Sequence, residues 1–368
     1  MSTRLFEPVR IGNHELNNRV TMAALTRQRA GEDGIPTELH VEYYSQRASA
    51  GLVVTEGAFP AFTNRAFPGQ AGIADVEQQA GWEPVADAVH ERGGVIFMQI
   101  MHGGRVSHPN LLRGNTPEAP SAIAPNVDIH TFDGKLPAPE PRSLEAGEIP
   151  RIIAEFATAA RRAVDAGLDG VEIHGANGYL LHEFLADSAN QRTDNYGGSP
   201  ENRARLLVEV IRAVADEIGA ERTAFRISPQ HGVQGTVEPD AADVKATYDA
   251  VFDGIADLNL AYVSLLKGDP DDEVARFVRT RVQDDLGIPL ILNTGFGVVT
   301  QLQETRYLVD ELGADAVAVG RMLIANPDLA ERWRDGVELN APDPATFYVG
   351  GPSGYVDYPF AHASQPSA

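Results

Sequence analysis

Residues 170–207 have the sequence GVEIHGANGYLLHEFLADSANQRTDNYGGSPENRARLL, and this stretch indicates how the rest of the chain folds. It starts with a short apolar run that ends at His174, and a glycine-rich polar loop follows. Ser199 and Pro200 then suit a helix N-cap followed by proline at the first helical position. A buried strand, a loop and a helix in this order form one β/α unit of a parallel sheet.

Seven further apolar runs of this kind occur, each followed by polar or glycine-rich residues and a segment of helical periodicity. They are VTMAAL (20–25), LVVTE (52–56), VIFMQIM (95–101), TAFRIS (223–228), YVSLL (262–266), PLILN (289–293) and AVAVG (316–320). Apolar residues spaced by three and four predict helices at 39–50, 76–92, 149–166, 201–218, 241–255, 273–286 and 299–312. Eight β/α units predict an α/β fold, a TIM (β/α)8 barrel, with a doubly wound open sheet as the alternative.

Two segments depart from a minimal barrel. Before the first strand, VRIGNHELNN alternates around Gly12 and Asn13, which predicts a hairpin that closes the barrel floor. After the third strand, 103–142 is long and proline-rich, and such an insertion is expected to cover a site as a lid or, alternatively, only to pack at the periphery. We therefore predict a single TIM-barrel domain over residues 1–368, with the insertion at about 103–142 as its lid or cap.

The composition excludes several classes of protein. The 368 residues contain no cysteine, so disulfides, thiolate nucleophiles and cysteine-ligated metals are excluded. Lys and Arg number 30 against 52 Asp and Glu, and a formal net charge of −22 disfavours nucleic acids and anionic membrane surfaces as partners. The N-terminal MSTRLFEPVR lacks the apolar core of a signal peptide, and no apolar run has transmembrane length. The expected location is the cytoplasm.

Functional residues are expected where barrel strands end. Arg226 lies inside an apolar strand, so it needs a polar partner: either a buried carboxylate, for which Glu172 is the candidate, or an electron-rich ligand. In the loops after strands seven and eight, glycines permit close backbone approach and Arg321 adds a charge, which together predict a phosphate site. The three-glycine dinucleotide fingerprint is missing there.

The group of residues that most specifically indicates a catalytic site is His174, Asn177 and Tyr179. His174 and Asn177 can direct two hydrogen-bond donors at one oxygen, and the nearby Tyr179 hydroxyl can supply a proton. The alternative is a histidine with a purely structural role. No second histidine or carboxylate stands at ligand spacing, so no metal is expected. His102 and His108 are interpreted as hydrogen-bonding loop residues.

Taken together these residues resemble the old yellow enzyme family of FMN-dependent ene-reductases. The resemblance runs nearly the whole length of the chain, through 5–27, 42–57, 98–108, 170–207, 293–297, 318–329 and 347–359. It implies that the following residues bind FMN: Ala23, Thr26, Gly57, Gln99, Arg226, Gly295, Gly297, Gly320 and Arg321. Thr26, where another branch of the family carries cysteine, is similar to the Thr-type members.

The resemblance also implies a reaction. His174 and Asn177 would bind the carbonyl or nitro oxygen of an activated alkene, flavin N5 would deliver hydride, and Tyr179 would protonate the other carbon. NADPH or NADH would reduce the flavin in the same pocket. Expected substrates are enones, maleimides or nitroalkenes; the alternatives are a quinone, nitro or nitrate-ester reductase, or a flavin-binding barrel without catalysis.

Some positions differ from the family pattern. Met101 stands where many members carry tryptophan, Phe67 where tyrosine is usual, and Ala24 where proline is common. The first two are expected to widen the substrate pocket or make it more apolar, and Tyr348 is a further candidate wall. The expected partners are small molecules, and the expected state is a monomer or homodimer.

Overall fold

In the computed structural model of the chain, which describes residues 3–297 and 299–361, eight parallel strands close into a barrel. The strands are β1 (Val20–Met22), β2 (Leu52–Val54), β3 (Ile96–Ile100), β4 (Gly170–Gly175), β5 (Thr223–Ile227), β6 (Tyr262–Leu266), β7 (Leu290–Asn293) and β8 (Ala316–Val319). Each strand pairs with its neighbours in chain order, and β8 pairs back to β1. The TIM barrel prediction is confirmed, and the open-sheet alternative is wrong because no barrel strand is left at an edge.

Helices surround the barrel. They are α1 (Glu38–Gln46), α2 (Val76–His90), α3 (Ile149–Asp165), α4 (Leu180–Leu185), α5 (Pro200–Ile218), α6 (Ala241–Gly254), α7 (Glu273–Arg279), α8 (Leu302–Arg306), α9 (Arg321–Ala325) and α10 (Leu329–Asp335). Ser199 caps α5 as predicted, its hydroxyl accepting from the Asn202 amide. Among residues 3–297 and 299–361, no helix combines the length and apolarity needed to cross a membrane.

Two predicted helices differ from the observed ones. The segment predicted at 273–286 is α7 followed by a π-helical stretch, Thr280–Asp285. The segment predicted at 299–312 begins only at Leu302 and continues after α8 as a second π-helical stretch, Tyr307–Glu311. Apolar spacing does not separate these cases, because each π-helical stretch is only about one turn long and continues directly from an α-helix.

Alternate strand residues form two separate apolar layers. One set, which includes Val171, Phe225 and Val263, packs outward with the helices. The other set, which includes Phe97 and Tyr262, fills the barrel interior. This period of two places every second residue of each strand inside the barrel, as in any pleated strand.

The predicted floor hairpin is present. Strands Val9–Ile11 and His14–Leu16 pair antiparallel across Gly12, whose φ of +53° suits glycine. Ile11 and Leu16 pack with the interior layer of the barrel, and the ring of His14 meets Phe97 edge-on at 6.2 Å between centroids. The hairpin therefore closes the N-terminal end of the barrel.

The insertion at 103–142 has secondary structure of its own. Asp128–Thr131 and Gly134–Pro137 form an antiparallel hairpin, and Glu118–Ala119 pairs in parallel with Arg142–Ser143. Glu118 also forms ion pairs with Arg142 and, at 2.7 Å, with Arg151 of α3. Apolar residues of the insertion (Val106, Leu111 and Ile129) pack with Met101 and Tyr179, so the insertion covers the C-terminal end of the barrel.

A fully buried arginine ties α1 to two later segments. The Arg47 guanidinium donates to the carbonyls of Tyr43 and Ile324, each at 2.7 Å, to that of Leu323 at 2.9 Å and to that of Tyr355 at 3.3 Å. Burial lowers its pKa to about 10. These bonds fix the segment after β8 and the C-terminal segment against the barrel wall.

We expect Arg47→Met to lower the free energy of unfolding by about 3 kcal/mol or more, because it leaves buried carbonyls without donors. Urea denaturation measures the change. The matched control is Arg334→Met, at a side chain that is 56% exposed, which should change stability by less than about 0.5 kcal/mol. Equal midpoints for the two variants would contradict this account.

Candidate active site

A cavity of about 430 Å³ opens at the C-terminal ends of the barrel strands. Most of the residues singled out from the sequence line it: Ala23, Thr26, Phe67, Gln99, Met101, His174, Asn177, Tyr179, Arg226, Gly295, Gly320, Arg321 and Tyr348. These residues come from β-strands and βα-loops along the whole chain and from the C-terminal segment, which contributes Tyr348. The fold therefore brings together positions that are up to about three hundred residues apart in sequence.

Two predicted residues lie beside the cavity wall. Gly57 is buried behind it, where an added Cβ would stand 3.0 Å from Met101 Cβ and 3.2 Å from Gln99 Oε1. Any side chain at position 57 would therefore displace groups that line the cavity. Gly297 is exposed in the loop after β7, and an added Cβ there meets no atom within 4 Å.

A hydrogen-bonded carboxylate lies behind two residues that line the cavity, Gln99 and Arg226. Glu172 of β4 accepts from Gln99 Nε2 at 2.7 Å and from the Tyr262 hydroxyl at 3.0 Å. Its burial raises its pKa, and the nearby Arg226 opposes that rise. Because the Gln99 amide nitrogen is engaged by Glu172, its oxygen remains an acceptor.

Arg226 of β5 is only 3% exposed. Burial lowers its pKa, and Glu172 opposes this. Within the described residues no carboxylate lies within 4.0 Å of the guanidinium, and its buried Nε has no hydrogen-bond partner. Glu172 therefore acts on Arg226 through its charge and not as a hydrogen-bond partner, and a ligand as the partner of the free donor stays a prediction. Donor and acceptor side by side suit the edge of a planar heterocycle.

His174, Asn177 and Tyr179 lie together in the same cavity. The rings of His174 and Tyr179 stand 5.0 Å apart between centroids, inclined by 64°. His174 Nδ1 and Asn177 Oδ1 are buried without partners in the described chain. Such unpaired buried atoms are unusual and point to a bound ligand or water.

Burial sets the protonation of two of these groups. Desolvation, assisted by the charge of Arg226, lowers the pKa of His174 well below its usual value, so the imidazole is neutral. Desolvation also raises the pKa of Tyr179 to about 12, so the phenol keeps its proton. At neutral pH the site thus presents neutral hydrogen-bond donors.

The loops after β7 and β8 form a positively charged corner. Asn293 accepts from the Gly295 amide at 3.1 Å and donates to the Ala318 carbonyl at 2.7 Å, which ties the start of the loop after β7 to strand β8. Arg321 donates to the Phe296 carbonyl at 2.8 Å. One guanidinium nitrogen is engaged by this bond, and the group lines the cavity with further donors.

Several lining residues were missed from the sequence. They are Leu25, Arg27, Gln28, His130, Gln234, Thr300, Ile324 and Phe347. Gln234, in the loop after β5, lines the cavity with Tyr179 and lowers the pKa of its hydroxyl, which opposes the effect of burial. No local pattern marks it, although the rule that all βα-loops face one end of the barrel could have drawn attention to its loop.

The described residues, 3–297 and 299–361, contain no group of three His, Asp or Glu side chains arranged to hold a metal ion. His102 Nδ1 accepts from the Gly104 amide at 3.0 Å, and His108 Nδ1 accepts from the Asn110 amide at 3.2 Å. Both histidines are hydrogen-bonding loop residues, as predicted.

Known proteins share this sequence and fold. A probable flavin mononucleotide-dependent alkene reductase of Leishmania infantum is 40% identical, covering 97% of this chain and 97% of that protein. 12-oxophytodienoate reductase 1 of Oryza sativa subsp. japonica is 38% identical over 97% of this chain and 93% of its own.

Solved structures agree. The old yellow enzyme homologue from Zymomonas mobilis superposes with a TM-score of 0.90 at 40% identity, covering 96% of this chain and 99% of its own. Morphinone reductase gives a TM-score of 0.90 at 39% identity, covering 99% of this chain and 98% of its own.

The family described as NADH:flavin oxidoreductase / NADH oxidase matches residues 4–340, nearly the whole barrel. That match and the relatives above confirm the resemblance inferred from the sequence. The chain belongs to the NADH:flavin oxidoreductase / NADH oxidase family, which includes the old yellow enzymes.

Proposed function

We propose that this FMN-dependent NAD(P)H oxidoreductase reduces the activated C=C bonds of enones, maleimides and nitroalkenes, with Tyr179 as the proton donor. The observation that carries the proposal is the convergence of His174, Asn177 and Tyr179 on a cavity that also contains the unpaired donors of Arg226. Two neutral donors and a protonated acid next to a cationic ring-binding site suit alkene reduction.

The residues of the cavity fit the cofactor of the family. The unpaired Nε of Arg226 and the free amide oxygen of Gln99 would hold the pyrimidine edge of FMN. The phosphate would lie at the corner formed by the loops after β7 and β8, and Ala23, Thr26 and Gly57 would adjoin the ring. Bound FMN supplies hydride transfer from NAD(P)H to the substrate.

His174 and Asn177 bind the oxygen of the electron-withdrawing group in this proposal. Hydrogen bonds from two neutral donors draw electron density from the double bond and stabilise the charge that develops on that oxygen. Asn177 cannot titrate and His174 is kept neutral by burial, so the pair is unchanged in charge across the physiological pH range.

Tyr179 completes the reaction as the acid. Its raised pKa of about 12 keeps the hydroxyl protonated until charge accumulates on the substrate carbon, and the phenolate then regains a proton from water. Gln234 lines the cavity with this residue and acts on its pKa in the opposite direction to burial.

The apolar wall indicates the substrates. Met101, Phe67 and Tyr348 line the cavity, and Phe67 meets Tyr179 edge-on at 6.4 Å between centroids. Uncharged alkenes with one polar end fit such a wall.

The assignment of residues 1–368 to one flavin-binding domain, the cytoplasmic location and the monomeric or homodimeric state stay predictions from the sequence.

We expect the purified protein to be yellow and its apoprotein to rebind FMN. Arg321→Met should weaken FMN binding by about 10- to 100-fold, because a charge-assisted hydrogen bond contributes about 1.5–3 kcal/mol. Titration of the apoprotein with FMN, followed by flavin fluorescence, measures the affinity. Arg334→Met serves as the matched surface control. A protein that takes up no FMN would contradict the cofactor assignment, and equal affinities would contradict the role of Arg321.

Tyr179→Phe should slow alkene reduction by about 10²- to 10⁴-fold, the usual contribution of a general acid, and leave flavin reduction by NADPH within about twofold. Anaerobic stopped-flow absorbance separates the two half-reactions. In the wild type a pKa raised to about 12 keeps the phenol protonated from pH 7 to 10, so deprotonation of Tyr179 should cause no loss of alkene reduction over that range. Equal losses in both half-reactions would refute its role as acid.

His174→Ala should weaken the binding of phenols, which mimic the enolate oxygen, by about tenfold, since one hydrogen bond of roughly 1–1.5 kcal/mol is lost. Changes in the flavin absorption spectrum on titration with a phenol give the affinity. An unchanged affinity would remove His174 from the substrate-binding pair.

A further inference from the structure

The loop that joins β4 to α4 has an unusual backbone. Asn177 has a φ of +59° and Gly178 a φ of +79°, so two consecutive residues are left-handed. This conformation is uncommon for residues other than glycine and must be stabilised by the surroundings. Because Asn177 and Tyr179 both belong to this loop, whatever holds its backbone also sets the position of two groups that line the cavity.

Two buried side chains hold the amides of the loop. The Asn177 amide donates to the Ser228 hydroxyl at 2.8 Å. The Gly178 amide donates to Nδ1 of His182, one turn into α4, at 2.9 Å. His182 is fully buried, so water cannot replace it as the acceptor.

Glu238 fixes which nitrogen of His182 carries the proton. Nδ1 is the acceptor for Gly178, so the neutral ring carries its proton on Nε2, and Nε2 lies 3.1 Å from Glu238 Oε2. The opposite tautomer would place an N–H against the Gly178 amide. A carboxylate at Nε2 therefore keeps Nδ1 available as an acceptor, in the way that a carboxylate fixes the tautomer of a metal-binding histidine.

The same carboxylate holds a second loop. Glu238 Oε2 also accepts from the Gln230 amide at 2.7 Å. Gln230 and Gln234, in the loop after β5, have φ values of +60° and +55°. This loop carries Gln234 to the cavity, so one buried carboxylate joins the two loops that meet at Tyr179.

We propose that His182 and Glu238 are a positioning pair: Glu238 selects the His182 tautomer that binds the Gly178 amide, and this bond sets the placement of Asn177 and Tyr179 for alkene reduction. The inference rests on the proposed function. Neither residue lines the cavity, so both act through the loop backbone. Displacements near 1 Å at a reacting group can cost about 10² in rate, so loss of the pair should be measurable.

The test uses FMN-loaded protein and four variants. His182→Phe removes the acceptor of the Gly178 amide, and Glu238→Met removes the acceptor of Nε2 at similar size. Glu238→Gln is the matched control, because its amide oxygen can still accept from both His182 and Gln230. The double variant His182→Phe/Glu238→Met reports whether the two residues act through each other. Flavin content, urea midpoint, phenol affinity and both half-reactions are measured for each.

We expect His182→Phe and Glu238→Met each to slow reduction of 2-cyclohexenone at least tenfold and to weaken phenol binding at least threefold, with FMN bound stoichiometrically. Glu238→Gln should stay within about threefold of the wild type, and the double variant should lose no more than the worse single variant.

Three results would overturn the proposal that the two residues act as a positioning pair. They are wild-type rates in His182→Phe, losses that multiply in the double variant, and equal losses in Glu238→Gln and Glu238→Met. If His182→Phe does not fold, the comparison of Glu238→Gln with Glu238→Met decides alone. A wild-type protein that binds FMN and oxidises NADPH but reduces no alkene would instead refute the proposed function.

Discussion

Closure of the barrel is the constraint on which the site depends, since it sends every second strand residue inward whether that residue is apolar or charged. The ladders then fix which inward groups are neighbours: Glu172 lies opposite Gln99, and His174 lies opposite Arg226. Adjacent strands are about 4.8 Å apart, so these polar groups interact without help from a flexible loop. The lower interior layer is apolar and closed by the N-terminal hairpin, which leaves the C-terminal end as the place where polar groups meet a ligand.

The buried arginine illustrates how this constraint is satisfied. A guanidinium fully engaged by a carboxylate would be neutralised and closed to a ligand, whereas an isolated one would be too costly to bury. Here the two carboxylate oxygens of Glu172 accept hydrogen bonds from Gln99 and Tyr262, and Glu172 acts on Arg226 only through its charge. The strands thus place Glu172 close enough to compensate the charge of Arg226 without accepting a hydrogen bond from it, and the donors of Arg226 remain free.

Local patterns predicted the parts of the molecule whose structure is decided locally. The strands, the Gly12 hairpin and the Ser199 cap follow from period, turn chemistry and capping, which need only neighbouring residues. The short helices α4, α9 and α10 were missed because five to seven residues carry too little periodicity. The partners of Arg226 stayed open because a strand sequence does not reveal which neighbouring oxygen is already hydrogen-bonded.

In the candidate site too, residues marked by local sequence were predicted and residues that depend on distant contacts were not. Residues at the C-terminal ends of strands, such as His174, were singled out because functional groups of a barrel are expected at those positions. Gln234, His182 and Glu238 were not, because their importance lies in contacts between loops that are far apart in sequence. Gly297 stays a prediction for the phosphate site: it is exposed in the loop after β7 and does not line the cavity, and the residue type alone does not tell which way that loop turns.

One physical cause sets the protonation of two titratable groups that line the cavity, His174 and Tyr179. Removal of water lowers the pKa of His174 and raises that of Tyr179, because in each case the charged form loses its hydration. The nearby Arg226 strengthens the first effect, since a second cation disfavours imidazolium. Burial beside a fixed cation therefore yields a neutral imidazole and a protonated phenol at the same pH, and the insertion contributes to the burial of Tyr179 because its apolar residues pack against it.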